Sequence, residues 1–171
     1  LDDTNDSARG IGADGGAVRW GRRGEPVRSA PAVQRLVAAA HPGFSVVTTK
    51  DLEPYARQLF IHDHGAACPG LVRLAFFGKG RASLAISLVR GSQGRLVLAE
   101  QETQGSWRIR QLDETTGAAV VWAEPPGMSR DVYGEKVLRH SNEGLVWCRL
   151  EAWAILYAWV NARVEKIWLT D

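Results

Sequence analysis

An α+β fold, with a curved antiparallel β-meander packed against one or two N-terminal helices, is what three features of this 171-residue chain predict. Apolar residues recur at helical spacing between residues 33 and 59. From Leu71 onward the apolar period is two, in short runs separated by glycine-containing turns. The C-terminal stretch then alternates aromatic and aliphatic residues on either side of Asn161-Ala162-Arg163.

Residues 1–30 are polar and glycine-rich, with arginines at 19, 22, 23 and 28. Such a segment buries too little to offset its ordering entropy, so it reads as a flexible or loosely packed N-terminal arm. A short strand near Val18-Arg19-Trp20 is its one structured candidate. A single α+β domain is expected over residues 31–171.

Pro31 suits the first turn of a helix, and Val33, Leu36, Val37 and Ala40 follow at helical spacing until Pro42-Gly43 stops it. Residues 44–48 read as extended. Asp51 or Thr49 can cap a second helix carrying Leu52, Tyr55, Ala56 and Leu59, with Pro54 in its first turn. Residues 71–77 and 82–90 form a hairpin around Gly78-Lys79-Gly80, and residues 96–101 and 107–112 continue the meander through Gly105-Ser106. A short strand at 120–122 ends before Pro125-Pro126-Gly127. A short helix is expected at 132–137.

Alternation then runs from Gly144 to Trp159 and reads as one strand. Asn161, which bonds locally and tolerates positive φ, turns it into a last strand at 164–169. A helix over 153–160 competes, because Ala154 and Ala158 suit one. The hairpin is preferred, since aromatic and β-branched cross-strand pairs contribute roughly 0.2–1 kcal/mol each.

Composition excludes several function classes. A net charge of +2, with 21 basic residues scattered among 19 acidic ones, leaves no basic stripe for nucleic acid. No apolar run reaches the roughly 18 residues of a membrane span, so no transmembrane segment is expected. The chain starts at Leu1 rather than methionine, which fits removal of an export signal. That start fits a truncated chain equally, so the expected periplasmic or secreted location, with the cytoplasm as the alternative, does not rest on it. Two cysteines are too few for a disulfide framework; Cys68 and Cys148 either pair or leave Cys148 as a buried thiol.

The densest group of reactive side chains is Ile61-His62-Asp63-His64-Gly65-Ala66-Ala67-Cys68. On an extended chain His62 and His64 point to one side and Cys68 can return as a third metal ligand or a thiol nucleophile. The spacing matches no standard zinc pattern, and a polar loop with histidines bonded to backbone is the plainer reading. Glu100 and Glu102 share a strand face, as a hydrolase acid–base pair would, although repetition on a solvent-facing strand is the commoner cause. Gly78-Lys79-Gly80 lacks the remainder of a P-loop. No catalytic residue, cofactor or metal is assigned.

Pro69-Gly70-Leu71-Val72, Phe77-Gly78-Lys79-Gly80-Arg81 and the aromatic hairpin from Tyr157-Ala158-Trp159 to Trp168-Leu169-Thr170-Asp171 together resemble the FG-GAP-type calcium-loop proteins of the bacterial envelope. The resemblance covers residues 45–171 and implies a β-rich, exported protein, some relatives being envelope or inhibitor proteins. Relatives place carboxylates where Ala75, Gly78 or Lys79, and Ser83 stand here. A hard cation needs those oxygens, so the resemblance does not carry calcium to this chain.

Seven tryptophans suit either a sheet core or an interface. The expected function is a non-catalytic protein-binding module, with an exported immunity or enzyme-inhibitor role as its narrower form. A protein partner would meet Lys79, Arg81, Trp153, Trp159 and Trp168. The alternative is a hydrolase or metal-dependent enzyme using His62, His64 and Cys68.

Overall fold

The computed structural model describes residues 30–102 and 105–170, so the N-terminal arm and the strand at 18–20 lie outside the described residues. Helix α1 (Pro31–Ala40) precedes strand β1 (Ser45–Val46), a 3₁₀ turn (Thr49–Asp51) and helix α2 (Pro54–His64). Strands β2 (Leu71–Leu74), β3 (Ser83–Arg90), β4 (Gln93–Gln101) and β5 (Trp107–Thr116) follow. Then come β6 (Val120–Glu124), β7 (Gly127–Arg130), β8 (Val137–His140), β9 (Gly144–Arg149), β10 (Trp153–Val160) and β11 (Arg163–Thr170). The expected α+β class holds: the pairings are antiparallel and both helices precede the main run of strands.

Two sheets stack face to face. In the first, β3, β4 and β5 form a meander, while β1 and β2 share the other edge of β3. The second has the order β11-β10-β9-β6, and β7 and β8 form a separate hairpin. Strand parity builds three apolar layers from these sheets. Leu84, Ile86 and Leu88 of β3 face Val33 and Val37 of α1. Ala85 of β3 and Leu96 and Leu98 of β4 meet Leu145, Trp147, Ile155 and Tyr157 across the sheet interface. Val146, Leu156 and Ala158 on the far face of the second sheet pack against Ala56 and Phe60 of α2 and Leu138 of β8. Both faces of β3 and β10 are therefore covered, which is why their burial is nearly continuous.

Several element boundaries differ from expectation for identifiable reasons. The strand expected at 71–77 stops at Leu74, because the Glu143 carboxylate takes the Ala75 N–H at 2.5 Å. Phe76 and Phe77 then turn into the intersheet core and residues 75–82 form a loop. The segment expected to be helical at 132–137 is the end of the β7–β8 hairpin, closed by Asp131 N–H donating to Lys136 O at 2.9 Å. The single strand expected over 144–159 is two, broken at a tight turn where Glu151 adopts φ 68°. The turn expected at Asn161 is present, with Asn161 and Ala162 at φ 50° and 60°, the primed geometry that suits strand twist.

Cys68 and Cys148 are both free. Cys148 sits in the layer beneath α2, whereas Cys68 packs on the α1 side of the first sheet, so both sheets separate them.

Polar side chains also bridge the sheets. The Asp113 carboxylate of β5 accepts hydrogen bonds from Tyr157 Oη and Lys166 Nζ, each at 2.7 Å. Burial raises the Asp113 pKa, but the bonds from Lys166, Tyr157 and the Glu114 N–H outweigh it and hold the carboxyl below its ordinary value of 3.8. Burial, followed by the bond to Asp113, pushes the Tyr157 phenol above its ordinary value of 10.0. Asp113 thus contributes stability above its unfolded pKa that is lost as pH falls through the lower folded value. Tyr157 contributes stability below its unfolded pKa that is lost as pH rises above it. Thermal melts of Tyr157→Phe should therefore lose less stability than wild type at alkaline pH, and, with one bond to the Asp113 carboxylate gone, they should also lose less stability on acidification.

Candidate functional site

The histidine–cysteine stretch lies on α2 and the loop after it, which corrects the extended reading. Two residues apart on a helix, His62 and His64 point about 200° away from each other. His62 is 84% exposed and bonds only its neighbour among the described residues, Nδ1 to Asp63 Oδ1 at 2.7 Å. His64 turns inward, stacked on Trp122 with ring centroids 5.4 Å apart and tilted against Phe60 at 4.6 Å. Burial lowers the His64 pKa despite the opposing pull of Asp63. Cys68 packs in another layer. Among the described residues, no three His, Cys, Asp or Glu side chains are grouped as metal ligands.

The paired glutamates of β4 do not form an acid–base couple. Glu100 is only 6% exposed and is held by Arg81 and by Arg110, the latter at 3.3 Å. Glu102 is paired with Arg108 at 2.5 Å and accepts from Ser106 Oγ at 3.0 Å. Each carboxylate is engaged by arginine on its own side of the strand end, and neither is left facing an open site as a partner for the other.

The residues expected to meet a partner fall into two groups. Lys79 is exposed in the 75–82 loop, but Arg81 folds back onto Glu100 and over the Phe77 ring, 5.0 Å from its centroid. Arg110 covers the same ring at 5.5 Å and Trp159 meets it edge-on at 5.0 Å. Trp153 and Trp159 pack against the intersheet core. An edge-to-face series, Trp147 to Trp153 at 5.0 Å and Trp153 to Trp168 at 6.2 Å, runs from that core to the exposed Trp168.

A cleft of about 700 Å³ opens between the start of α2 and the turns at the ends of both sheets. Its walls include Leu52, Ala56, Val120 and Cys148, with Arg149 and Glu151 at the β9–β10 turn. Burial pushes the Cys148 thiol up to about 12, leaving roughly one part in ten thousand as thiolate near pH 8. Burial thus disfavours the thiolate that a nucleophilic Cys148 would need. With an aromatic disulfide reagent, native protein should release one equivalent of thiolate, from the half-buried Cys68, and a second on unfolding.

Of the large apolar side chains exposed among the described residues, Met128, Val132, Tyr133 and Val137 gather on β7–β8 and its turn and Trp168 lies on β11, whereas Leu36, Tyr55 and Ile61 lie on the two helices. Cross-strand pairing puts Met128 opposite Arg139 and Arg130 opposite Val137, all four on the solvent face. Leu138 and His140 point inward, and His140 Nδ1 donates to Asn142 O at 2.8 Å. Met128 is 64% exposed and Tyr133, in the connecting turn, 63%. Val132 and Val137 are also exposed. The Val132 N–H donates to the Trp168 backbone O at 2.8 Å, which seats the hairpin turn beside β11. Lys136 Nζ bonds Glu165 Oε2 at 2.8 Å and Lys166 O at 3.2 Å. The hairpin thereby covers the edge of β11, which would otherwise invite strand pairing.

Sequence reasoning names Trp168, which is exposed, and does not name the exposed Met128, Arg130, Tyr133, Val137 and Arg139. The alternation of Val137, Leu138, Arg139 and His140 was the available signal, hidden by the expected helix. Comparison with protein-family models, curated proteins and solved structures finds no match to this chain.

Proposed function

We propose that this chain is a non-catalytic protein-binding module that docks its partner on the outer face of the β7–β8 hairpin together with Trp168. The observation that carries the reading is the concentration of Met128, Val132, Tyr133, Val137 and Trp168 as exposed side chains on adjoining elements. Methionine, tyrosine, tryptophan and arginine are the residue types enriched at protein interfaces. The hairpin also rests on a buried anchor, Leu138, so its outer face is presented on a fixed support. An immunity or enzyme-inhibitor role in the bacterial envelope enters this proposal through the FG-GAP resemblance alone.

The alternative, a hydrolase or metal-dependent enzyme built on His62, His64 and Cys68, needs those three side chains to converge. Their placement on different sides of α2 and in different layers supports it poorly. Affinity capture from a bacterial envelope fraction tests the reading, with wild type and Met128→Ser/Tyr133→Ser as parallel baits. Wild type should recover a defined partner that the variant recovers at least about tenfold less, the loss expected when two interface anchors are truncated. Equal recovery by both baits rejects this face as the docking site.

A further inference from the structure

We infer that the β7–β8 face recognises an acidic, extended segment of a partner protein, one with two carboxylates two positions apart among apolar side chains. The inference rests on the docking function proposed above and adds the chemistry of the partner. The face is a two-by-two checkerboard, with Met128 and Val137 on one diagonal and Arg130 and Arg139 on the other. Diagonal positions in an antiparallel pair lie about 7–8 Å apart. Alternate side chains of an extended segment lie about 6.6 Å apart, so two carboxylates on one face of such a segment match the two guanidinium groups.

The charges on this face are not neutralised by an ion pair among the described residues. Arg130 Nη1 donates to Gly134 O at 3.3 Å, and Arg139 Nη2 approaches the Met128 sulfur at 3.8 Å. Neither guanidinium forms an ion pair among the described residues, although Asp131 and Glu135 lie in the adjoining turn. Neighbouring cations are already used: Lys136 and Arg163 on Glu165, Lys166 on Asp113. Arg81, Arg108 and Arg110 are likewise paired with glutamates, whereas Arg35, Arg73, Arg90 and Arg149 are exposed and form no ion pair among the described residues. Arg130 and Arg139 stand as a cation pair set between apolar side chains. A guanidinium pairs bidentately with a carboxylate, and the flanking Met128 and Val137 exclude water from such pairs. A bare polyanion would satisfy the arginines but leave the apolar diagonal in water.

A random-peptide phage library panned on the full chain tests this. Enriched peptides should carry Asp or Glu at positions i and i+2 beside apolar residues. Synthetic copies should lose about tenfold or more in affinity when both carboxylates become amides, and equally when the protein carries Arg130→Gln/Arg139→Gln. All substituted side chains are exposed, so the variants should melt as wild type does. Enriched peptides without an acidic pair, lost on Met128→Ser but indifferent to Arg130→Gln/Arg139→Gln, would overturn the inference while leaving the docking reading intact. Peptides indifferent to both variants, or no enrichment, would overturn both. Heparin binding as tightly as the acidic peptides would overturn the inference too, by reducing the face to a cation pair.

Discussion

Ser87→Ala should destabilise the protein by about 2–5 kcal/mol, a large effect for the loss of one oxygen atom. Ser87 is fully buried on the face of β3 that meets the second sheet. Its hydroxyl donates to Ala119 O at 2.6 Å and accepts from Trp147 Nε1 at 3.0 Å. Alanine leaves both the carbonyl and the indole N–H buried without a partner, and each such group costs about 1–3 kcal/mol. Trp147→Phe removes the indole donor and also leaves space beside Ile155 and Tyr157. In the double variant the indole N–H no longer exists to be orphaned, so the combined cost should fall short of the sum of the single costs by about 1–3 kcal/mol. Urea denaturation with an unchanged m-value reads each term. A Ser87→Ala cost below about 1 kcal/mol would show that water or a shifted neighbour satisfies both groups.

That bridge also shows which parts of the fold the sequence could disclose. The run of residues 83–90 identifies a strand, and Asn161-Ala162 identifies the β10–β11 turn, because these signals are carried by adjacent residues. The end of β2 is not such a signal. Its next N–H, at Ala75, is captured by Glu143, 68 positions away in sequence. The His-x-His spacing likewise says nothing about whether residues 62–64 are extended or helical, and Phe60, packed beneath Trp147's sheet with Ala56, decides for the helix. Which tryptophans are exposed follows from strand parity together with layer order. Trp147 and Trp168 have similar local surroundings in sequence, yet one faces the intersheet core and the other lies at its open end. The exposed face of β7–β8 is least legible. Met128, Arg130, Val137 and Arg139 become a surface only once Leu138 and His140 are known to point inward.

The basic turn provides the second large effect. Arg81→Ala/Arg110→Ala should cost about 3–5 kcal/mol, the range for leaving a buried charge without its partners. Glu100 is nearly inaccessible at the end of β4, and these two arginines are its counter-ions. Each single variant should cost much less, because the remaining guanidinium still faces the carboxylate. Both arginines also cover the Phe77 ring, contributing about 0.5–1 kcal/mol each as cation–π contacts. Adding Glu100→Gln to the double variant should recover part of the loss, since a neutral amide is far cheaper to bury than an unpaired carboxylate. Recovery separates the charge from the packing: if Glu100→Gln restores nothing, the cost came from uncovering Phe77. Lys79→Ala, two residues away on the exposed part of the same loop, should stay within about 0.5 kcal/mol of wild type. The two cations of the 75–82 loop thus have different surroundings. Arg81 is held against Glu100, whereas Lys79 is solvated, and the two substitutions should differ accordingly.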